Sequence, residues 1–426
     1  MIFHLPHDKR KIAIIAGIIG NVIEWYDFAL YGYMAPIISQ LFFPNESQVA
    51  SLIATYGIFA AGFVMRPLGS GVFGWLGDTI GRSRTMLISV AMMMIPTFLL
   101  GLLPTYNTAG LLAPALLVII RLTQGLSVGG EFSSSVTYLV ETSPASRRGL
   151  SGSWANAGSG AGMLLGSLMA AAVTSLLSHD NVMAWGWRLP FLLGGVLGST
   201  AILLRRHLPK SEHFVEHTKR REQSSPIKEA FSSNLKETLQ GMVFASGYGA
   251  IFYISLVYLP TWLSEYTGVM LKRAMQINTV AMVIVMLLIP VMGWLSDRYI
   301  RRTHFISLSM LVIAASAIPL TLWMQSGSIE AAVVGQLFFA VAVAVPGGVA
   351  PAMFVELFPT RDRLSGYSVS FNIGMGIVGG STPMVLTWLI SKTGVNFIPA
   401  LYMLLWAAVS LGALIWMKDR SREPLL

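Results

Sequence analysis

Twelve apolar runs, each long enough to cross the roughly 30 Å hydrocarbon core of a bilayer as a helix, recur along the 426 residues of this chain. They lie near 12–42, 50–77, 85–103, 110–140, 150–178, 187–205, 238–264, 274–296, 304–325, 331–357, 365–391 and 397–417. With 54% hydrophobic and 12% charged residues, and a mean hydropathy of +0.65, the chain lacks the polar exterior that a soluble domain of this size requires. In hydrocarbon every backbone N–H and C=O must be satisfied within the chain, so the runs are read as helices. The expected fold class is an all-α membrane protein with 12 transmembrane helices.

An even number of spans puts both termini on one side, and the charged loops say which. Of the 29 Lys and Arg residues, 23 fall in the leading tail, in alternate loops and after the last run. The opposite loops hold only Lys272, Arg273 and Lys392. By the positive-inside rule both termini are expected to be cytoplasmic. The net charge of +9 then reflects topology and contact with an anionic lipid bilayer, and nucleic acid is not an expected partner. Met1 to Lys11 lead straight into the first run without a cleavable signal pattern. Zero cysteines exclude disulfides, thiolate metal sites and thiol catalysis. No Ser/His/Asp set, metal cluster or phosphate loop is visible, so neither an enzyme nor a metal or other cofactor is expected.

The one long, strongly charged stretch, 206–237, divides the runs six and six. This gives an N-terminal six-helix bundle at 1–205, a cytoplasmic linker at 206–237 and a C-terminal six-helix bundle at 238–426. The halves share their punctuation. Gly74-Trp75-Leu76-Gly77-Asp78 after the second run is echoed by Gly293-Trp294-Leu295-Ser296-Asp297 after the eighth, at an offset of 219. Glu141, Pro144 and Arg148 are echoed by Glu356, Pro359 and Arg363 at an offset of 215. Two parallel six-span repeats are the pattern of a rocking carrier whose site lies between the halves.

Gly74, Asp78, Gly81, Arg82 and Arg84 match the loop signature of the major facilitator superfamily, which the chain resembles over nearly its whole length. A narrower resemblance is carried by Gly20-Asn21 with Glu24-Trp25-Tyr26-Asp27-Phe28, Arg66-Pro67-Leu68-Gly69, Gln124-Gly125 to Gly129-Gly130-Glu131, and Trp185-Gly186-Trp187-Arg188. Together these look like the metabolite:proton symporters, the family of proline/betaine, α-ketoglutarate, citrate and shikimate carriers. The resemblance implies two bundles related by a pseudo-two-fold axis. It also implies a cytoplasmic gate at Asp78, Arg82 and Arg84 and their echo Asp297 and Arg298, with Glu141, Arg147, Arg148, Glu356, Arg361 and Arg363 as partners.

Residues 21, 24, 27 and 31 fall on one helical face, so Asn21, Glu24, Asp27 and Tyr31 project together. A carboxylate in hydrocarbon costs roughly 3 kcal/mol or more, so this face must line a protein interior or a wet cavity. Counted along the helices, Glu24 lies about 20 Å from Lys11, Arg66 about 18 Å from Asp78 and Glu131 about 15 Å from Glu141, all near the midplane. Arg121, Gln124 and Glu131 form a polar stripe, and deep charge is expected in the first half alone. Glu24, Asp27 and Glu131 against Arg66 and Arg121 leave one negative charge, which one proton on the mutually repelling Glu24/Asp27 pair would neutralise. Arg121 offers a fork that matches a substrate carboxylate. Arg66 and Glu131 are either substrate contacts or a mutual ion pair. Tyr248 and Tyr253 lie near the midplane as candidate substrate contacts. Asn156 and Asn372 are candidates of the same kind, with an interhelical hydrogen bond as the alternative. Tyr258 and Trp262 are expected in the outer aromatic belt, Arg188 at the interface, and Gly158, Gly162, Gly166, Gly376 and Gly380 on sliding surfaces.

The expected function is proton-coupled symport of a small carboxylate-bearing metabolite, an organic acid or a zwitterionic osmolyte, by a functional monomer in a bacterial inner membrane. Its partners are the small-molecule substrate, protons and the lipid bilayer. A transporter-like sensor, and an exporter or uncoupled facilitator, stand beside it as alternatives.

Overall fold

Helix is the element that closes its own hydrogen bonds in hydrocarbon, and the computed structural model is helical in every long element it describes. It describes residues 21–44, 46–80, 82–127, 131–206, 234–360 and 362–425. The helices of the N-terminal part are α1 (21–33), α2 (Ala35–Phe42), α3 (Gln48–Ile80), α4 (Arg82–Leu102), α5 (Leu112–Ser127), α6 (Glu131–Glu141), α7 (Arg148–Leu176) and α8 (Arg188–Arg206). Those of the C-terminal part are α9 (Leu235–Tyr266), α10 (Leu271–Arg298), α11 (Arg302–Met324), α12 (Ile329–Leu357), α13 (Arg363–Thr393) and α14 (Ile398–Trp416). Among the described residues eight helices are long and apolar enough to cross a membrane, and shorter apolar helices lie at Ile88–Leu102 and Leu112–Ser127. The chain is a multi-pass membrane protein.

Burial sorts the helices. α9 and α12 are enclosed almost throughout, whereas α10, α11 and α14 turn more than half of their most apolar stretch outward. Leu287, Leu311, Trp323 and Ile415 belong to that outward surface, where lipid replaces water as the apolar solvent. The two parts of the chain meet along two seams, with α7 against α10 and α12 on one side and α3 against α13 on the other. Tyr258 and Trp262 correct an expectation here. Both are fully buried inside α9, where the Tyr258 hydroxyl accepts from Thr387 and the Trp262 indole donates to the Asn396 carbonyl.

Glycines set the closest approaches. A Cβ on Gly293 of α10 would stand 2.6 Å from the Gly149 carbonyl oxygen of α7, so these two backbones touch across a seam. Across the other, Gly380 leaves room for the Phe63 side chain of α3, whose Cγ would lie 2.6 Å from a Cβ there. Gly162 and Gly166 instead meet α1, with a Cβ at Gly162 2.9 Å from the Tyr26 nitrogen and one at Gly166 3.2 Å from the Tyr26 oxygen. Their surface is fixed packing within the N-terminal part, not a sliding face. A Cβ at Gly125 of α5 would lie 2.8 Å from the Gly62 carbonyl carbon of α3, so these small residues draw together the helices that carry Arg66 and Arg121. Gly125→Ala is therefore expected to destabilise the purified protein by about 1–3 kcal/mol through overpacking. Gly412→Ala, where a Cβ meets nothing within 4 Å, should be neutral or stabilising; thermal unfolding of the two variants in detergent makes the comparison.

Candidate functional site

Asp27 and Arg121 are both fully buried, and a buried charge must find its counter-charge inside the protein. Asp27 Oδ2 lies 2.6 Å from Arg121 Nη1. Thr97 and Gln124 donate to the other carboxylate oxygen at 2.8 and 2.9 Å, and Gln124 Oε1 accepts from Arg121 at 2.8 Å. Three helices, α1, α4 and α5, so close around one carboxylate, and Thr97 is a member that sequence reasoning missed. The remaining Arg121 donors, Nε and Nη2, find no hydrogen-bond acceptor among the described residues. The ring centres of Tyr31 and Phe28 lie 4.3 and 4.9 Å from its Cζ.

Glu24 takes a different arginine. Arg66 Nη2 lies 3.5 Å from Glu24 Oε1, with both side chains buried. The expectation of a mutually repelling Glu24/Asp27 pair is thus corrected: each carboxylate has its own guanidinium, supplied by α3 for Glu24 and by α5 for Asp27. Arg66 pairs with Glu24, and its other suggested partner, Glu131, has a side chain outside the described residues. The Arg66 guanidinium rests against Phe63 at 4.4 Å and Phe28 at 4.6 Å, with Trp25 at 6.0 Å. It faces the C-terminal part, where a Cβ on Gly376 would stand 3.9 Å from Arg66 Cδ and the Tyr253 ring packs 5.4 Å from that of Phe63.

Around this seam most of the buried polar atoms without a hydrogen-bond partner are donors, and the acceptor beside them, Glu24 Oε1, is held in the ion pair with Arg66. Arg66 Nε and Nη2, the Trp25 indole N–H and the Tyr253 hydroxyl are buried and find no hydrogen-bond partner among the described residues. Three are obligate donors and the fourth can donate, so the cluster suits a ligand that brings acceptor oxygens. Trp25, beside Glu24 in sequence, escaped the sequence reading. An indole next to a buried acid was the available signal.

Other candidates are placed elsewhere. Asn21 donates to the Ala155 carbonyl and the Ser159 hydroxyl, both at 2.9 Å, and ties α1 to α7 away from the arginines. The Tyr31 hydroxyl donates to the Thr55 carbonyl at 3.1 Å while its ring covers Arg121. Tyr248 is buried and stacks on Phe244, and Asn372 donates to Ser368 one turn back in its own helix. Arg188 donates to the Gly101 and Leu103 carbonyls rather than reaching freely to the interface.

Proline explains two hydrogen bonds that join the parts. A proline has no N–H for the carbonyl four residues before it, so that oxygen needs another donor. Pro260 frees the Leu256 carbonyl, which accepts from the Tyr33 hydroxyl of α1 at 2.9 Å. Pro351 frees the Gly347 carbonyl, which accepts from Asn156 of α7 at 2.7 Å. Asn156 is therefore a bridge between the parts, not an open substrate contact. Pro346 repeats the device within the C-terminal part, with Ser309 donating to Ala342 at 2.6 Å.

The loop charges gather at one end of the seam. Asp297 accepts from the Gly149 and Leu150 amides at 2.7 and 2.9 Å, capping the first turn of α7 from the other part of the chain. Arg302 binds Glu356 at 2.6 Å and Asp297 at 3.2 Å. Arg148 approaches Glu356 at 3.8 Å, and Arg363 meets Glu141 at 2.5 Å. Arg302, Glu356 and Arg363 are all buried at helix ends, so the second half also encloses charge, at its helix termini rather than within its spans. Arg147 is exposed and Arg298 lies against Trp294, both outside these contacts. The side chains of Asp78, Arg82 and Arg84 and the whole of Arg361 lie outside the described residues. Arg302 was missed because it counts as one loop cation among many, although the 219 offset sets it between the echoes of Arg82 and Arg84.

The model of the sugar (and other) transporter family matches residues 12–236 and again 215–419. The chain belongs to the major facilitator superfamily. A proline/betaine transporter of Escherichia coli strain K12 is 34% identical over 98% of this chain and 85% of its own length. A citrate-proton symporter of Klebsiella pneumoniae is 31% identical over 97% of this chain and 93% of its own length. A partially occluded, inward-open structure of the xylose transporter from E. coli covers 97% of this chain and 98% of that one, with a TM-score of 0.77 at 17% identity, a likeness of fold. Within this superfamily member the Asn156 bridge generates a direct test. The chain has no cysteine, so a single Ser153→Cys probe at the buried seam reports its opening. Asn156→Ala leaves a buried carbonyl unsatisfied at a cost of about 1–3 kcal/mol and should raise maleimide labelling at position 153 about tenfold or more; unchanged labelling removes the bridge from the account.

Proposed function

We propose that this protein is a proton-coupled symporter that takes up a small carboxylate-bearing metabolite by alternating access. The substrate is an organic acid or a zwitterionic osmolyte such as proline or betaine. The reading includes twelve spans in two six-helix bundles, 1–205 and 238–426, joined by 206–237, with both termini cytoplasmic. The protein acts as a monomer in a bacterial inner membrane. The observation that carries the substrate class is the excess of buried donors on Arg66, Trp25 and Tyr253 where the two parts meet, beside the single carboxylate of Glu24. A carboxylate supplies the acceptors that those donors lack, and the surrounding rings suit an apolar body or a quaternary ammonium. Arg66, which Glu24 approaches only to 3.5 Å, is thus assigned the substrate contact in place of Arg121, which Asp27 holds at 2.6 Å.

Asp27 is assigned the proton site. When its carboxylate is neutralised, Arg121 loses its counter-charge, and the buried site then favours the arrival of an anion. Proton and carboxylate enter as a pair that adds no net charge to an apolar interior. Protonation also loosens the ties that Asp27 makes to α4 and α5, which gives the bundle freedom to rock. The Asp297, Arg302, Glu356, Arg148, Glu141 and Arg363 contacts are assigned the inner gate. Tyr33 with Leu256, and Tyr56 with Thr261 at 2.8 Å, are assigned the outer one. Relatives named as proline/betaine and citrate-proton carriers support both halves of the reading.

Two measurements test it, using proline, betaine, citrate and α-ketoglutarate as the panel. In liposomes Asp27→Asn should abolish accumulation driven by an imposed pH difference while retaining exchange down a gradient. Full pH-driven accumulation by that variant, or none of the four compounds accumulated by the wild type, would sink the proposal. In binding experiments Arg66→Gln should weaken the accumulated compound about 10–100-fold, the value of a hydrogen bond to a charged group, whereas an unchanged affinity would return the substrate contact to Arg121.

A further inference from the structure

Arg66 and Arg121 come from different helices, yet both guanidinium groups lie against the same ring. Phe28 is buried, with its centre 4.6 Å from Arg66 Cζ and 4.9 Å from Arg121 Cζ. Each arginine has one further close ring, Phe63 at 4.4 Å for Arg66 and Tyr31 at 4.3 Å for Arg121. Each also has two donors, Nε and Nη2, that make no hydrogen bond among the described residues, Arg66 Nη2 reaching Glu24 only at 3.5 Å. Room for the shared ring is made by Gly62, where a Cβ would lie 3.8 Å from Phe28 Cε1 and 3.3 Å from the Arg121 carbonyl oxygen. The charged and titratable groups about the ring are Glu24, Asp27 and Tyr31 on its own helix, Arg66 from α3, Arg121 from α5 and Tyr253 from α9.

We propose that Phe28 is a positioning residue that links the proton site to the substrate site by holding both guanidinium groups on one aromatic ring. The proposal rests on the functional reading above. While Asp27 is ionised, Arg121 is neutralised by a direct ion pair and needs little from the ring. Once Asp27 takes a proton, the full Arg121 charge is left with the Gln124 amide oxygen and the ring faces as its electron-rich neighbours, so the quadrupole of Phe28 favours the protonated state. The same ring carries Arg66, so the arginine that lost its counter-ion and the one that meets the substrate carboxylate are held in one stack. With Arg121 unmatched and Arg66 only loosely held by Glu24 at 3.5 Å, two cations share one ring under a single counter-charge. The protonated site thereby gains most from an anion placed at Arg66, and proton binding and substrate binding strengthen each other.

Replacing Phe28 by leucine keeps an apolar side chain and removes the quadrupole. Phe28→Leu should therefore shift the pH of half-maximal uptake about one unit lower, a tenfold weaker proton affinity. Binding of the accumulated panel compound at saturating acidity should stay within about threefold. Phe28→Tyr, which retains the ring, should return the profile toward wild type. If Phe28→Leu does not yield folded protein, phenylalanines of increasing fluorination at position 28 drain the ring face at nearly constant shape, and the profile should move stepwise to lower pH. An unshifted profile in folded Phe28→Leu, or across the fluorinated series, overturns the proposal. Asp27→Asn in the same assay separates the two failures: pH-driven accumulation by that variant defeats the functional reading, whereas its loss with an unshifted Phe28 series defeats this inference alone.

Discussion

A charge in the middle of a bilayer has to be matched where it stands, and the Asp27–Arg121 ion pair shows what that requires of the fold. The carboxylate takes a guanidinium, a threonine and a glutamine, drawn from α4 and α5, before its cost is offset. Supplying them fixes α1 against both helices. Gly62 and Gly125 follow from the same need, since only bare backbones let α3 and α5 approach closely enough to set two arginines on one side of α1. A buried pair of this kind adds little net stability compared with an apolar equivalent, and it stays sensitive to anything that neutralises one partner. That sensitivity is what a coupled carrier uses.

The second constraint is the backbone itself. Where Pro260 of α9 and Pro351 of α12 leave a carbonyl open in hydrocarbon, the donor comes in both cases from the other part of the chain. A break in helix continuity has become a hydrogen bond across the seam, made by Tyr33 toward one end and by Asn156 toward the other. Such bonds are well suited to exchange. Each is a single donor on a single acceptor, and a rocking motion can part it without unravelling a helix. The network of Asp297, Arg302 and Glu356 adds a multivalent contact at the charged end, where Asp297 caps α7 from across the seam.

Much of this was legible in the sequence, and the boundary has a physical reason. The apolar runs announce membrane helices, and the face formed by residues 21, 24, 27 and 31 marks α1 as the costly one. The repeated offsets point to Glu141, Arg148, Asp297, Glu356 and Arg363, which do meet across the seam. Pairing was not legible. Periodicity fixes which way Glu24 and Asp27 point, but their arginines come from α3 and α5, and only the packing of those helices decides that each acid takes one. Asn21 shares the helical face but diverges at its end, where α7 offers a carbonyl and a hydroxyl. Tyr258 and Trp262 were misplaced because distance along a helix gives depth in the membrane and not whether lipid or protein lies alongside. Trp25 and Thr97 carry no charge; the place of Trp25 beside Glu24 was a signal left unused, and nothing in an apolar run distinguishes Thr97 before its neighbours are known.

The central claim is that Asp27 takes up a proton when a carboxylate binds. Calorimetric titration of the purified protein with its accumulated compound, in two buffers of different ionisation enthalpy, counts that proton directly. At a pH where the empty site is ionised, the account predicts about one proton taken up per carboxylate bound by the wild type, and close to none by Asp27→Asn. Binding without proton uptake in the wild type, or the same uptake in the variant, would contradict it.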